Sequence, residues 1–236
     1  MNLYVVTGTT QGLGAALAAR LAAMPGTELV TLSRSRATLV ADLADLEAVE
    51  RAGDELGALV AGKRYGKAVL INNAGVIDPV GPLDEADPGD ITRNLTVNLL
   101  APMLLMRSFL RATAAVPLRR IINISSGAGR RAIFGWSAYC AAKAGIDMAS
   151  RTVALECQSR GLAVEVTSLA PGVIDTAMQG TVRAASAEDF IDVERFRQMK
   201  AEGQLRRADD VAADILRLEA AGRLGAEAVQ DLRELQ

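Results

Sequence analysis

The sequence contains no histidine. A Ser-His-Asp triad, a Cys-His pair and any histidine-ligated zinc are therefore excluded, and acid–base chemistry must fall to other groups. Cysteine is scarce as well. Cys140 and Cys157 match neither a metal clip nor a disulfide framework, which is compatible with a reducing, cytoplasmic setting. Charge of one sign is missing too: the formal net charge is −2 over 236 residues. A nucleic-acid or anionic-membrane partner calls for a basic excess or a clustered basic face. The arginine pairs at 119–120, 130–131 and 206–207 are too short and scattered for that. No uninterrupted apolar run reaches the roughly 18 residues of a membrane-spanning helix. The opening MNLYVVTGTT lacks the basic and long apolar regions of a signal peptide.

Half of the residues are hydrophobic, and they fall into short apolar runs alternating with longer amphipathic ones. Strands are expected at Leu3–Val6, Glu28–Ser33, Ala68–Asn72, Arg120–Ser125 and Ala163–Leu169. Helices are expected over 12–23, 45–60, 88–115, 137–160 and from Asp209 or Asp210, as N-cap, to Ala220. Pro102 is expected to bend the 88–115 helix, and the tail from Ala226 to supply a last short strand. Met103–Met106 read as core or interface rather than as a cofactor box. Strand alternating with helix is the pattern of a parallel sheet covered on both faces. The expected fold class is α/β: one domain over residues 1–236, with a doubly wound parallel sheet. One stretch resists this pattern. Only a few residues separate the second strand from a third at about Thr38–Ala41, where a parallel crossover normally needs about a dozen. The third strand is thus short, displaced or without its crossover helix. Residues 177–205 look like an inserted lid.

The first strand runs into Thr7-Gly8-Thr9-Thr10-Gln11-Gly12-Leu13-Gly14, which opens a helix. Glycines permit a tight turn and close approach to a pyrophosphate, and a helix N-terminus offers free N–H groups and partial positive charge. About twenty residues on, an NAD-binding chain carries a carboxylate for the ribose 2′-hydroxyl. Here Ser33-Arg34 stands instead. A guanidinium pairs with a 2′-phosphate and a serine can donate to it, so NADP(H) is the expected cofactor; Arg36 could share that role.

Further along stand Asn72-Asn73-Ala74-Gly75, the serine pair of INISSGAG, Tyr139-Cys140-Ala141-Ala142-Lys143 and Pro171-Gly172-Val173. With the glycine loop, and in this order, they resemble the motif series of the short-chain dehydrogenase/reductase family, whose fold is of the Rossmann type. Tyr139 and Lys143 share a helix face at a spacing of four. A neighbouring ammonium would favour the phenolate and lower the tyrosine pKa from about 10, making Tyr139 an acid in reduction and a base in oxidation. The family's serine lies thirteen residues before its tyrosine, which lands on Ser126; Ser125 should point to the other side of the strand and give structural support. The resemblance implies a tetrad of Asn98, Ser126, Tyr139 and Lys143, with Asn94 a solvated rival to Asn98. It implies that Lys143 also holds the nicotinamide ribose. It further implies cofactor contacts from Gly8, Thr10, Gln11, Leu13, Gly14, Asp42, Leu43, Asn73, Ala74, Gly75, Pro171, Val173 and Thr176. NLLAPMLL, FGWSAYCAAKAG, APGVIDTAMQ and SAEDFIDVERF are similar to the benzil reductases that form (S)-benzoin, relatives of sepiapterin reductase. That similarity implies NADPH-dependent reduction of one carbonyl of a vicinal diketone. The expected substrate pocket includes Ser126, Phe134, Trp136, Tyr139 and Met178, with Val173 and Phe190 as further apolar candidates. It also implies a homodimer or homotetramer formed through the two long helices. Asp231 lies where sepiapterin reductases carry a pterin-anchoring carboxylate and is given no role.

Overall fold

The computed structural model describes residues 1–225 and 227–235. Seven parallel strands form one sheet in the order β3-β2-β1-β4-β5-β6-β7. They are β1 (Asn2–Thr7), β2 (Thr27–Ser33), β3 (Leu39–Val40), β4 (Lys67–Asn72), β5 (Leu118–Ile124), β6 (Val164–Ala170) and β7 (Val229–Asp231). The helices are α1 (Gly12–Ala22), α2 (Leu46–Val60), α3 (Pro88–Leu95), α4 (Ala101–Ala112), α5 (Ser137–Ser159), α6 (Ala177–Ala184), α7 (Val193–Ala201) and α8 (Ala208–Ala220).

Apolar side chains of the inner strands alternate between the two faces because successive residues of a strand point opposite ways. Leu3, Val5, Leu70 and Ile121 pack under α2, α4 and α5 against Leu56, Phe109 and Ile146. Tyr4, Val6, Ile71 and Ile122 pack under α1 and α8 against Leu17, Leu21, Val211 and Ile215. Met106 and Leu105 join the first of these cores, while Met103 is exposed. Both sides of the sheet are dry, so its central strands read as near-continuous apolar runs.

Three elements bear on the sequence expectation: the third strand is short and has no crossover helix, two of the alternatives expected of it, and two other elements differ. The parallel β2–β3 pair spans only Leu32–Leu39 and Ser33–Val40, and residues 34–38 make the whole return. A two-residue strand needs the chain to climb back by only about two rises of 3.3 Å, so no crossover helix is required. The backbone of Arg36 is left-handed at φ 51°, and Thr38 N–H donates to Thr31 Oγ1 at 2.9 Å, closing the return. Second, the 88–115 helix is divided. Residues Thr96–Leu100 form a π-helical turn, with the Ala101 N–H donating to the Thr96 carbonyl. The residue four after Asn98 is Pro102, which has no N–H to give the Asn98 carbonyl, and the register slips just ahead of it. The continuous stretch Pro88–Ala112 has a mean hydropathy of 1.2 over its most apolar window, and its α4 part is a wall of the sheet's core. Third, neither Asp209 nor Asp210 caps α8. Arg207 is the N-cap residue and both aspartates lie in the first turn, where Asp209 accepts from Arg20 Nε and Nη2 at 2.8 and 2.7 Å and ties α8 to α1. Of the tail, Ala226 lies outside the described residues, and the strand found there is β7.

Candidate active site

Strand β1 is bonded to β2 on one side and to β4 on the other. The chain leaves β1 in opposite directions on either side of this point, which opens a crevice at the carboxyl ends of the strands. A cavity of about 360 Å³ occupies it, lined by Gly8, Thr10, Gln11 and Leu13 after β1, Ser33 and Arg34 after β2, Asn73–Gly75 after β4, Ser126 after β5, and Pro171–Val173 after β6. Asp42, Leu43, Trp136, Tyr139, Lys143, Thr176 and Met178 complete the predicted residues on its wall.

The glycine loop is built by close approach. A Cβ on Gly8, whose φ is +70°, would stand 2.8 Å from the Ala74 Cα, and one on Gly14 would stand 2.1 Å from the Gly8 carbonyl oxygen. Gly14 therefore does not line the cavity; it lets α1 close against the loop. Thr7 Oγ1 accepts the Asn73 and Ala74 N–H groups, each at 3.0 Å, and Asn73 Nδ2 donates to the Thr7 carbonyl at 3.0 Å. The loops after β1 and β4 are thus one unit. No side chain caps the N-terminus of α1 and no acidic residue stands in its first turn. That donor set, at the floor of the cavity, fits the pyrophosphate of a nicotinamide dinucleotide. Arg34 is exposed on the rim with no side-chain partner among the described residues, whereas Arg36 does not reach the cavity. The Ser33 hydroxyl donates to the Ser35 carbonyl at 2.7 Å. Its proton is spent on the β2–β3 return, and the expected donation to a 2′-phosphate is not available from it. Asp42 Oδ1 accepts from Ala44 N–H at 3.0 Å, which presents Asp42 and Leu43 to the same end of the cavity.

At the other end, Tyr139 and Lys143 stand one turn apart on α5. Lys143 Nζ lies 5.5 Å from the Tyr139 ring centroid and donates to the Ile124 carbonyl at 2.9 Å. Burial pushes the Tyr139 phenol up to about 12, against the pull of a hydrogen bond with Ser126. Burial also lowers the Lys143 ammonium to about 8, against the attraction of Asp147. The sequence expectation that Lys143 would depress the tyrosine pKa is not met in this geometry. Both groups are desolvated, which penalises phenolate and ammonium alike. The Ser126 Oγ accepts the Ala128 N–H at 3.1 Å, leaving its proton to donate. Ser125 turns away and donates to Asp147 Oδ1 at 2.6 Å, in the supporting role expected of it.

Asn98 is buried behind the cavity wall and does not line it. Its Nδ2 donates to the Val76 carbonyl at 2.8 Å and to Asn94 Oδ1 at 2.9 Å, and its Oδ1 accepts the Val76 N–H at 3.2 Å. A Cβ on Gly75 would stand 2.8 Å from Asn98 Oδ1 and 3.8 Å from Lys143 Nζ, so these three residues meet. Asn94 is not solvated as expected. It is fully buried and donates to the Ile77 and Asp78 carbonyls at 3.2 and 2.6 Å, fastening the loop after β4 onto α3.

A third apolar cluster closes the tyrosine end. Trp136 meets the Tyr139 ring edge-on at 5.7 Å and stacks on Phe190 at 5.0 Å, with Phe196 at 5.8 Å. Val182 of α6 and Val193 of α7 pack with them. Phe190 is a support under Trp136 rather than a wall residue, and Phe134 is exposed and outside the cavity. Trp136 and Phe190 were expected together at the pocket; that Phe196 joins them was not. Arg93, Arg131 and Arg233 also line the cavity, and no sequence motif pointed to them. Arg233 approaches Gly172 and donates from Nε and Nη2 to Asp231 at 2.9 and 2.6 Å, so the Asp231 carboxylate is held well below its usual range by that guanidinium. Among the described residues no group of three or more His, Cys, Asp or Glu side chains could hold a metal ion.

Residues 2–187 match the family model described as short chain dehydrogenase. The benzil reductase ((S)-benzoin forming) of Bacillus subtilis is 38% identical over 227 residues, covering 92% of this chain and 93% of that protein. The sepiapterin reductase of Meriones unguiculatus is 33% identical over 91% of this chain and 89% of its own length. Among solved structures, a short chain dehydrogenase from Burkholderia cenocepacia in complex with NADP superposes with a TM-score of 0.74 at 26% identity, covering 96% of this chain and 94% of that one.

Proposed function

This chain is an oxidoreductase belonging to the short-chain dehydrogenase family, and from that premise we propose that it is an NADPH-dependent carbonyl reductase acting on a ketone or vicinal diketone, with Tyr139 as proton donor. The observation that carries the proposal is one wall of the cavity. There a protonated phenol, a serine hydroxyl whose proton points to the phenol rather than to the backbone and a lysine one helical turn away surround the space next to the glycine loop. Bound nucleotide supplies the hydride. Ser126 donates a hydrogen bond to the carbonyl oxygen and draws charge from the carbon. Tyr139 donates the proton that the oxygen gains. A phenol raised to about 12 holds its proton at neutral pH, the state required of an acid in reduction. Lys143 and Asn98 orient the nucleotide ribose and the loop after β4. Arg34 gives the preference for the 2′-phosphate, without help from the Ser33 proton.

Benzil-type diketones are the substrate class most in keeping with the similarity to benzil reductases and with the wall formed by Trp136 and Met178. α6 and α7 act as the lid. The pterin reading, drawn from the sepiapterin reductases, has less support, because the Asp231 carboxylate is already paired with Arg233. The apolar Leu100, Met103, Met148 and Leu155, exposed on the π-helical turn, α4 and α5, support a homodimer or homotetramer through those elements.

The test is loss of NADPH absorbance with benzil and with a pterin carbonyl, beside NADH and the Tyr139→Phe variant. Expected are turnover of benzil with NADPH, slower turnover with NADH, and a loss of at least about 100-fold in kcat for the variant with NADPH still bound. A variant as active as the parent would remove Tyr139 from the chemistry.

A further inference from the structure

Asp147 lies on α5 one turn beyond Lys143 and two beyond Tyr139, so the three share a face. It is only 2% exposed. Its Oδ1 accepts from Ser125 Oγ on one side at 2.6 Å and from Ser168 Oγ on the other at 2.5 Å. Its Oδ2 faces Arg130 Nε at 3.3 Å. Ser125 sits immediately before Ser126, and Ser168 lies in β6 two residues before its end at Ala170, so one carboxylate joins two neighbouring strand ends whose following residues, Ser126 and Pro171, line the cavity. A buried carboxylate with three donors has its hydrogen-bonding capacity taken up by the protein.

We propose that Asp147 is a positioning residue of this active site: it fastens the ends of β5 and β6 to α5 and supplies the negative charge that accompanies the Lys143 ammonium across one helical turn. This rests on the carbonyl-reductase reading and deepens it. Lys143 is held by burial at the edge of losing its charge, and Asp147 is the group that opposes this loss. The other groups around the lysine are the Tyr139 phenol on α5, the Ile124 carbonyl at the end of β5, Arg130 in the loop beyond it, and neutral Asn98 and Gly75. From β7, Asp231 and Arg233 are paired with one another. Asp147 is thus the carboxylate on the same face of α5 as the lysine, one turn away, itself held by Arg130, Ser125 and Ser168.

The experiment measures NADPH dissociation constants by fluorescence from pH 6 to 10, with thermal unfolding and benzil turnover, for the parent, Asp147→Asn and Ser168→Ala. Turnover by the parent tests the carbonyl-reductase reading separately. Affinity should fall as Lys143 loses its proton. In Asp147→Asn the midpoint of that fall should move to lower pH by about one unit, weakening binding severalfold at pH 8.5. Ser168→Ala, which removes a bond and keeps the charge, should lower the melting temperature and leave the midpoint in place. Equal midpoints in all three would reduce Asp147 to a structural tie and overturn the proposal. If Asp147→Asn does not fold, Asp147→Glu decides: retained charge should keep the midpoint within about 0.3 unit, and a shift as large as a full unit would contradict the proposal.

Discussion

Lys143 shows how a single side chain can serve the site at the expense of the fold. Its pKa in the folded protein is about 8, below the ordinary lysine value of 10.5. Between those two values the unfolded chain binds the proton and the folded one does not, so this residue's contribution to stability rises with pH. Below about 8 it is a buried charge that opposes folding. Lys143→Met should therefore raise the melting temperature at pH 7 without added nucleotide, by up to roughly 3 kcal/mol in stability, and the gain should fade toward pH 10. Thermal scans of both proteins across that range provide the check. A variant that is less stable at pH 7 would mean that the bond to Ile124 outweighs the buried charge. The pairing of Tyr139 with Lys143 followed from spacing, because helical periodicity fixes which side chains share a face, whereas Ser126 and Asn98 were expected from the family resemblance alone. Asp147 was expected on neither ground, although it continues the Tyr139–Lys143 spacing by one more turn. The bonds that give it meaning come from β5 and β6, which are remote in sequence.

At the scale of elements, legibility followed apolar patterning. Each inner strand began and ended within two residues of its expected position, because a strand dry on both faces is a continuous apolar run. What escaped were features set by backbone register rather than by side-chain pattern. The π-helical turn at 96–100 is one and the 34–38 return is another; a proline and a short segment hinted at each without fixing its form. Trp136 and Phe190 were both expected at the substrate pocket, but their stacking and the contact with Phe196 escaped for a different reason. Trp136, Phe190 and Phe196 come from separate elements, and nothing local marks them as neighbours. Phe190 is fully buried between Trp136 and Phe196. Phe190→Ala should lower stability by about 3–5 kcal/mol and raise the benzil KM severalfold more than it lowers kcat, since Trp136 loses its backing while Ser126 and Tyr139 keep theirs. Urea denaturation and steady-state kinetics read the two effects independently. An unchanged KM would place α6 and α7 outside substrate binding.

Across the whole molecule, one buried carboxylate gathers the sheet. Glu219, at the end of α8 and 1% exposed, accepts from Tyr4 on β1 at 2.7 Å, from Lys67 on β4 at 2.7 Å and from Arg120 on β5 at 2.6 Å. Arg120 also meets Glu165 on β6. Burial, then the Glu219 contact, raises the Tyr4 phenol well above its ordinary value, so it remains a donor at any physiological pH. Glu219→Gln leaves the buried Arg120 and the partly buried Lys67 with one counter-ion, Glu165, that is itself partly exposed. Stability should fall by about 3–5 kcal/mol, measured as the midpoint of urea unfolding. A change below about 1 kcal/mol would show that water or Glu165 takes over the charge.

The sheet ends on one side in two residues, Leu39–Val40, and on the other in three, Val229–Asp231. Each margin strand is short, and the strand inside it runs on past it: Thr27–Thr31 of β2 and Val164–Thr167 of β6 have no strand partner on that side among the described residues. The open edge is thus carried by the second strand in from each border, in a sheet whose interior strands are apolar and rich in β-branched residues. The same truncation that shortened the route between β2 and β3 thus uncovers backbone one strand further in, where Thr31 N–H is met by the Thr38 hydroxyl rather than by a ladder partner.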